Sequence, residues 1–213
     1  MDKVVVPPAE PILLVTGFEP FNGSPLNPSA MVAERLVAPT GWRLKTLVLP
    51  VVSEGLLERV EELVSALGPS LIVSLGEARG SREFRVERTA RNRLSFNCPD
   101  NAGVRLEDRL IVDNGPLHLH STLCCQTVQK GLKSCGVASK LSDDAGGFLC
   151  NQLLYLLAHR TASEMAKVGF IHLPSLPEQG YGPGLALDLQ VRAVQQVLEC
   201  LCEGEHEKRR PLR

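Results

Sequence analysis

Short apolar runs alternate with segments of helical periodicity along this chain, and no other feature restricts its fold as much. "PILLVTGF" is continuously apolar over strand length, which suits a strand covered on both faces. "NPSAMVAERLV" then supplies Asn27 as an N-cap and Pro28 at the first helical position, with Met31, Val32, Leu36 and Val37 on one side. The same pairing recurs. "RLKTLVLPV" reads as a strand, "EGLLERVEELVSAL" as an amphipathic helix and "SLIVSLG" as a second buried strand. Further on, "HSTLCCQTVQKGLKSCG" is helical, "ASKLS" a short strand, "FLCNQLLYLLAHRTA" a helix, "VGFIHLPSLP" a strand stopped by prolines, and "LALDLQVRAVQQVLECLC" a long amphipathic helix. Such alternation predicts an α/β protein: a three-layer α/β/α domain whose twisted, mostly parallel sheet carries helices on both faces.

Residues 82–115 break the alternation with β-like, turn-rich sequence, and we read them as a functional insertion. The 213 residues suit one domain, 1–213, with residues 1–10 and the charged tail 204–213 as flexible ends. Charge excludes some partners. With 23 basic and 24 acidic residues the chain has no long-range field for nucleic acid or an anionic membrane. The longest apolar runs fall far short of the roughly 20 residues of a membrane helix, and Pro7, Pro8 and Pro11 interrupt any signal-peptide core. A cytoplasmic protein is expected. Its 7 cysteines are odd in number and lack framework spacing, so they read as reduced thiols. Cys200, Cys202 and His206 lack the paired spacing of structural zinc, so no metal is expected.

In an open α/β sheet, ligands bind beyond the carboxyl ends of the strands. Three loops fall there: "GFEPFNGSPLN", "GEARG" and "DDAGGFLC". The last places Cys150 at a helix start, where unpaired N–H groups favour a thiolate, behind Ala145, Gly146 and Gly147, which are small enough to admit a substrate backbone. The N–H of Cys150 is then a candidate oxyanion donor. His172 is a lone titratable ring near the end of an apolar strand. Each has a structural reading beside the functional one. Cys150 could be a core thiol, His172 a core histidine bonded to a carbonyl, and Glu87 a surface carboxylate among arginines.

Four blocks, in order, tip the balance. "LLVTGFEPFNGSPLNPS", "VERTARN", "SDDAGGFLCN" and "GFIHLPSLPEQ" resemble the corresponding segments of the pyroglutamyl peptidase I family, and the likeness runs from about Pro11 to Gln196. That resemblance implies a phosphorylase/hydrolase-like α/β fold and a cysteine exopeptidase that removes N-terminal pyroglutamate through a thioester. It assigns Cys150 as nucleophile, His172 as its base and Glu87 as the carboxylate orienting the imidazole. For the substrate pocket it implies Phe18, Phe21 and Phe148 around the lactam ring. The chain departs from the family at two pocket positions: Glu77 stands where glutamine is common, and Asn97 where an arginine would help polarise the scissile carbonyl. Arg91 and Arg93 are candidates to replace that charge. No cofactor is implied, and a homo-oligomer, usually a tetramer, is. Two other readings stay open at this point: an inactive homologue that only binds pyroglutamyl peptides, motivated by Glu77 and Asn97, and a nucleoside phosphorylase, for which "GEARGSR" is the anion-site candidate.

Overall fold

The computed structural model describes residues 10–162 and 166–209. Among the described residues are eight strands and five α-helices, of which all but β4, β5 and β6 follow the order read from the sequence: β1 (Ile12–Phe18), α1 (Pro28–Ala33), β2 (Arg43–Leu49), α2 (Leu56–Leu67), β3 (Leu71–Ala78), β4 (Phe84–Glu87), β5 (Thr89–Arg91), β6 (His118–His120), α3 (Cys125–Ser134), β7 (Ser139–Ser142), α4 (Leu149–Arg160), β8 (Lys167–Pro174) and α5 (Leu187–Arg209). Six strands form the main sheet in the order β2-β1-β3-β8-β4-β7, and β5 pairs with β6 apart from it. Every pairing in the main sheet is parallel except β4 with β8. The α/β fold expected from the alternation is therefore the one observed.

Two apolar layers sandwich the sheet, as its double-sided strands require. On one face Leu13, Val15, Leu71, Val73, Ile171 and Leu173 pack under α1, α3 and α5. On the other, Leu14, Ile72, Val168 and Phe170 pack under α2 and α4. The chain leaves β1 for one neighbour, β2, and later returns to the other side as β3. Loops that depart in opposite directions from adjacent strands open a crevice at their carboxyl ends.

Three boundaries differ from the sequence reading, each for a physical reason. The segment 82–115 is not wholly an insertion, because Phe84 to Glu87 form a strand of the main sheet. Its four residues sit inside turn-rich, charged sequence, where so short a run does not stand out. Second, α1 stops at Ala33 rather than reaching Val37, which is 63% exposed and offers the helix no buried anchor. Third, α5 continues past Cys202 to Arg209 instead of fraying. His206 packs edge-on against Trp42 at 5.8 Å, giving that turn a tertiary contact. The remaining expectations of flexible ends, residues 1–9 and 210–213, lie outside the described residues. None of the described helices is long and apolar enough to cross a membrane.

Candidate active site

Glu87 ends β4 and His172 lies near the end of β8, and the antiparallel register that pairs Arg85 with His172 and Glu87 with Phe170 puts both side chains on the α4 face. There His172 Nδ1–H donates to Glu87 Oε1 at 2.8 Å. The Glu87 side chain is wholly buried and its Oε2 has no hydrogen-bond partner, so the imidazole is the group that balances its charge. Cys150, the second residue of α4, acts on the same imidazole, as the raised His172 pKa shows. Room for its sulfur comes from Gly76 on β3, where an added Cβ would lie 3.0 Å from Cys150 Sγ. Burial alone would lower the His172 pKa. The influence of Cys150, then the hydrogen bond and charge of Glu87, outweigh it and raise the value from 6.5 to about 9. At neutral pH the ring is therefore protonated, the state that favours a thiolate beside it.

The loop that delivers Cys150 is pinned from the segment after β5. Ser95 N–H donates to Gly147 O at 2.9 Å, and a Cβ on Gly147 would stand 2.6 Å from Ser95 O. Only glycine allows that approach. Asp144 Oδ1 accepts from Gly146 N–H and from Arg91 Nη2. Asn151, fully buried next to Cys150, accepts from Arg91 N–H and donates to the carbonyls of Arg91 and Arg93. The N-cap residue Phe148 has no side-chain acceptor to offer, so the first-turn N–H groups of α4 stay available to a ligand.

Beside Cys150 lies a small, mainly apolar pocket lined by Phe18, Phe21, Asn27, Val51, Glu77, Phe148, Leu149 and Cys150. Phe21 and Phe148 stack at 5.8 Å, and Phe96 meets Phe148 edge-on at 4.5 Å. The structure thus brings Glu87, Cys150 and His172 together and sets Phe18, Phe21, Glu77 and Phe148 around the adjoining pocket. Asn97 is not brought there: it is exposed and does not line the pocket. Arg91 and Arg93 are engaged elsewhere, in ion pairs with Asp144 and Asp108. Asn27, Val51 and Phe96 escaped the sequence reading as site residues. Asn27 had already served as a helix cap, a role it does fill by accepting from Ser29 N–H. Val51 and Phe96 carry no signal that separates them from core. No group of three His, Cys, Asp or Glu side chains among the described residues could hold a metal ion.

A thiol, an imidazole and a buried carboxylate in series, at the carboxyl edge of an open α/β sheet, are the parts of a thiol hydrolase. Comparison with known proteins narrows the class. The pyroglutamyl peptidase family model matches residues 12–203. A pyrrolidone-carboxylate peptidase of Chromobacterium violaceum is 38% identical over 92% of this chain and 96% of its own length. That of Pyrococcus furiosus is 34% identical over 90% and 98%. Among solved structures, a mutant pyrrolidone carboxyl peptidase from Pyrococcus furiosus superposes with a TM-score of 0.87 at 32% identity, over 91% of this chain and 99% of that one. The enzyme from Thermococcus litoralis gives 0.88 at 27%, over 95% and 98%. The chain belongs to the pyroglutamyl peptidase family. The resemblance read from the four sequence blocks is correct, and these matches do not favour the inactive-homologue reading.

Proposed function

We propose that this chain is a cysteine exopeptidase that hydrolyses the amide bond following an N-terminal pyroglutamyl residue. One observation carries the reading: the Glu87–His172–Cys150 series abuts a small, mainly apolar pocket, a surface suited to a neutral ring rather than to a charged α-amine. Cys150 Sγ attacks the scissile carbonyl carbon, and the first-turn N–H groups of α4 receive the developing oxyanion. Protonated His172 gives its proton to the leaving nitrogen as the C–N bond breaks, leaving a thioester and a free amine. Neutral His172 next takes a proton from water, whose oxygen attacks the thioester. Pyroglutamate departs and the thiol site is restored. Glu87 holds the ring by its Nδ1–H throughout. Phe18, Phe21 and Phe148 pack on the lactam.

The test compares fluorogenic amides of pyroglutamate, proline and glutamate. Cleavage of the pyroglutamyl amide alone, abolished in Cys150→Ser and by iodoacetamide, is the expected result. Failure of folded wild-type protein to cleave it would overturn the proposal. The family resemblance also supports a tetramer, and the cytoplasmic site of action expected from the sequence is part of the same reading. Light scattering on the purified protein decides the first, and cell fractionation the second.

A further inference from the structure

The sheet order puts the two halves of a substrate on opposite sides of His172. The pocket beside Cys150 takes Phe18 from β1, Val51 from the loop after β2 and Glu77 from β3, all on one side of β8. Cys150 itself sits over Gly76 of β3. On the other side of β8 come β4 and then β7. With the ring of a pyroglutamyl peptide in the pocket and its scissile carbonyl at Cys150, the leaving amine receives its proton at His172. The rest of the peptide then runs out toward β4 and β7.

Arg85 stands there, directly opposite His172 in the antiparallel register of β4 and β8. Such partners share a face and hold their Cβ atoms about 5 Å apart, well within the reach of an arginine side chain. Arg85 Nε is buried and has no hydrogen-bond partner. No ion pair or ring contact engages its guanidinium among the described residues. The carboxylates two residues to either side are already taken. Glu87 accepts from His172, and Glu83 pairs at 2.7 Å with Lys140, the β7 partner of Arg85. A partly buried cation left without a counterion costs free energy that an acceptor from outside the fold would recover. The acceptor that best fits a guanidinium fork is a carboxylate. Resting on the pyroglutamyl reading above, we propose that Arg85 binds a carboxylate of the leaving group. That carboxylate is either the α-carboxylate of a dipeptide or an acidic side chain on the residue after the scissile bond. Arg85 thus makes the enzyme prefer short or acidic pyroglutamyl peptides.

The test measures kcat/KM for four peptides: pyroglutamyl-alanine, its amide, pyroglutamyl-glutamate amide and pyroglutamyl-glutamine amide. The first pair isolates the α-carboxylate and the second the acidic side chain. We expect the carboxylate member of at least one pair to be cleaved about tenfold to a hundredfold more efficiently, the scale of one charge-assisted hydrogen bond. Arg85→Met brings that ratio close to one, and Arg85→Lys, which keeps the charge without the fork, retains part of it. Lys140→Met removes a cation already paired with Glu83 and leaves the ratio nearly intact. Each ratio comes from one preparation, so loss of folded protein in a variant cancels. If wild type cleaves all four peptides with both ratios near one, or if a preference survives Arg85→Met, the role of Arg85 is overturned and the peptidase reading stands. Cleavage of none of the four sinks the peptidase reading, and the proposal with it.

Discussion

Glu87 is the residue whose removal most directly tests the chemistry, because its effect passes through His172 and can be read in a pH profile. Hydrolysis of the pyroglutamyl amide needs a protonated imidazole for the leaving nitrogen, so the rate should fall as pH rises through about 9, where His172 loses its proton. Glu87 helps raise that value. Glu87→Gln removes the charge, so the alkaline limb should move to lower pH, and kcat/KM near neutrality should drop by roughly two to four orders of magnitude. An unmoved limb would mean that Glu87 only packs. The same reasoning separates the thiols. Burial first, then Glu205, Glu199 and Glu203, push Cys202 up to about 12, so it should resist iodoacetamide while Cys150 is carboxamidomethylated, as peptide mass mapping would show. Cys150 and His172 were noticeable in the sequence as a thiol behind Gly-Gly and a histidine ending an apolar strand, whereas Glu87 was put forward only by the family resemblance. Arg85 carries no such signal. Its place opposite His172 comes from the register of β4 on β8, strands far apart along the chain.

At the scale of the element, α4 is what the rest of the molecule positions. Every residue from Leu149 to Ala158 except Cys150 is buried, so no polar stripe announces which side faces the sheet. The excursion after β5 covers its outer side: Tyr155 donates its hydroxyl to Pro116 O at 2.7 Å, and Asn92 ties the backbone of Ile111, Val112 and Gly115 together. That makes the Gly147 contact a lever on catalysis. Gly147→Ala would force the loop off Ser95 O and displace the start of α4, at a stability cost of about 1–3 kcal/mol. We expect kcat for the pyroglutamyl amide to fall at least tenfold, with a lowered melting temperature. Wild-type turnover in this variant would show that the loop relaxes without moving Cys150. The sequence announced α4 and its neighbours through their periodicity, but not β4. A four-residue strand is recognised by the partners it finds, here β8 on one side and β7 on the other.

The whole molecule separates stability from chemistry by face. Leu198, wholly buried on α5, belongs to the layer that packs against the sheet from the side opposite α4. Leu198→Ala should cost about 2–5 kcal/mol, a large share of a domain's net stability, yet leave kcat/KM at 25 °C unchanged while the protein remains folded. Denaturant unfolding and steady-state kinetics on one preparation would check both halves, and a fall in kcat/KM would show that the two faces are coupled. Leaving aside Glu87, which only the family resemblance put forward, the sequence by itself determined the α/β class and most helices and strands and offered Cys150 and His172 as candidates. Those follow from local periodicity, capping and side-chain chemistry, which act over a few residues. Only the tertiary structure decided that β4 joins the sheet antiparallel, that the Cys150 sulfur fits over Gly76, that Asn97 stays outside the pocket and that Arg85 stands opposite His172. Each of these depends on the packing of segments distant along the chain, where sheet register and shape complementarity, not local propensity, select the neighbour.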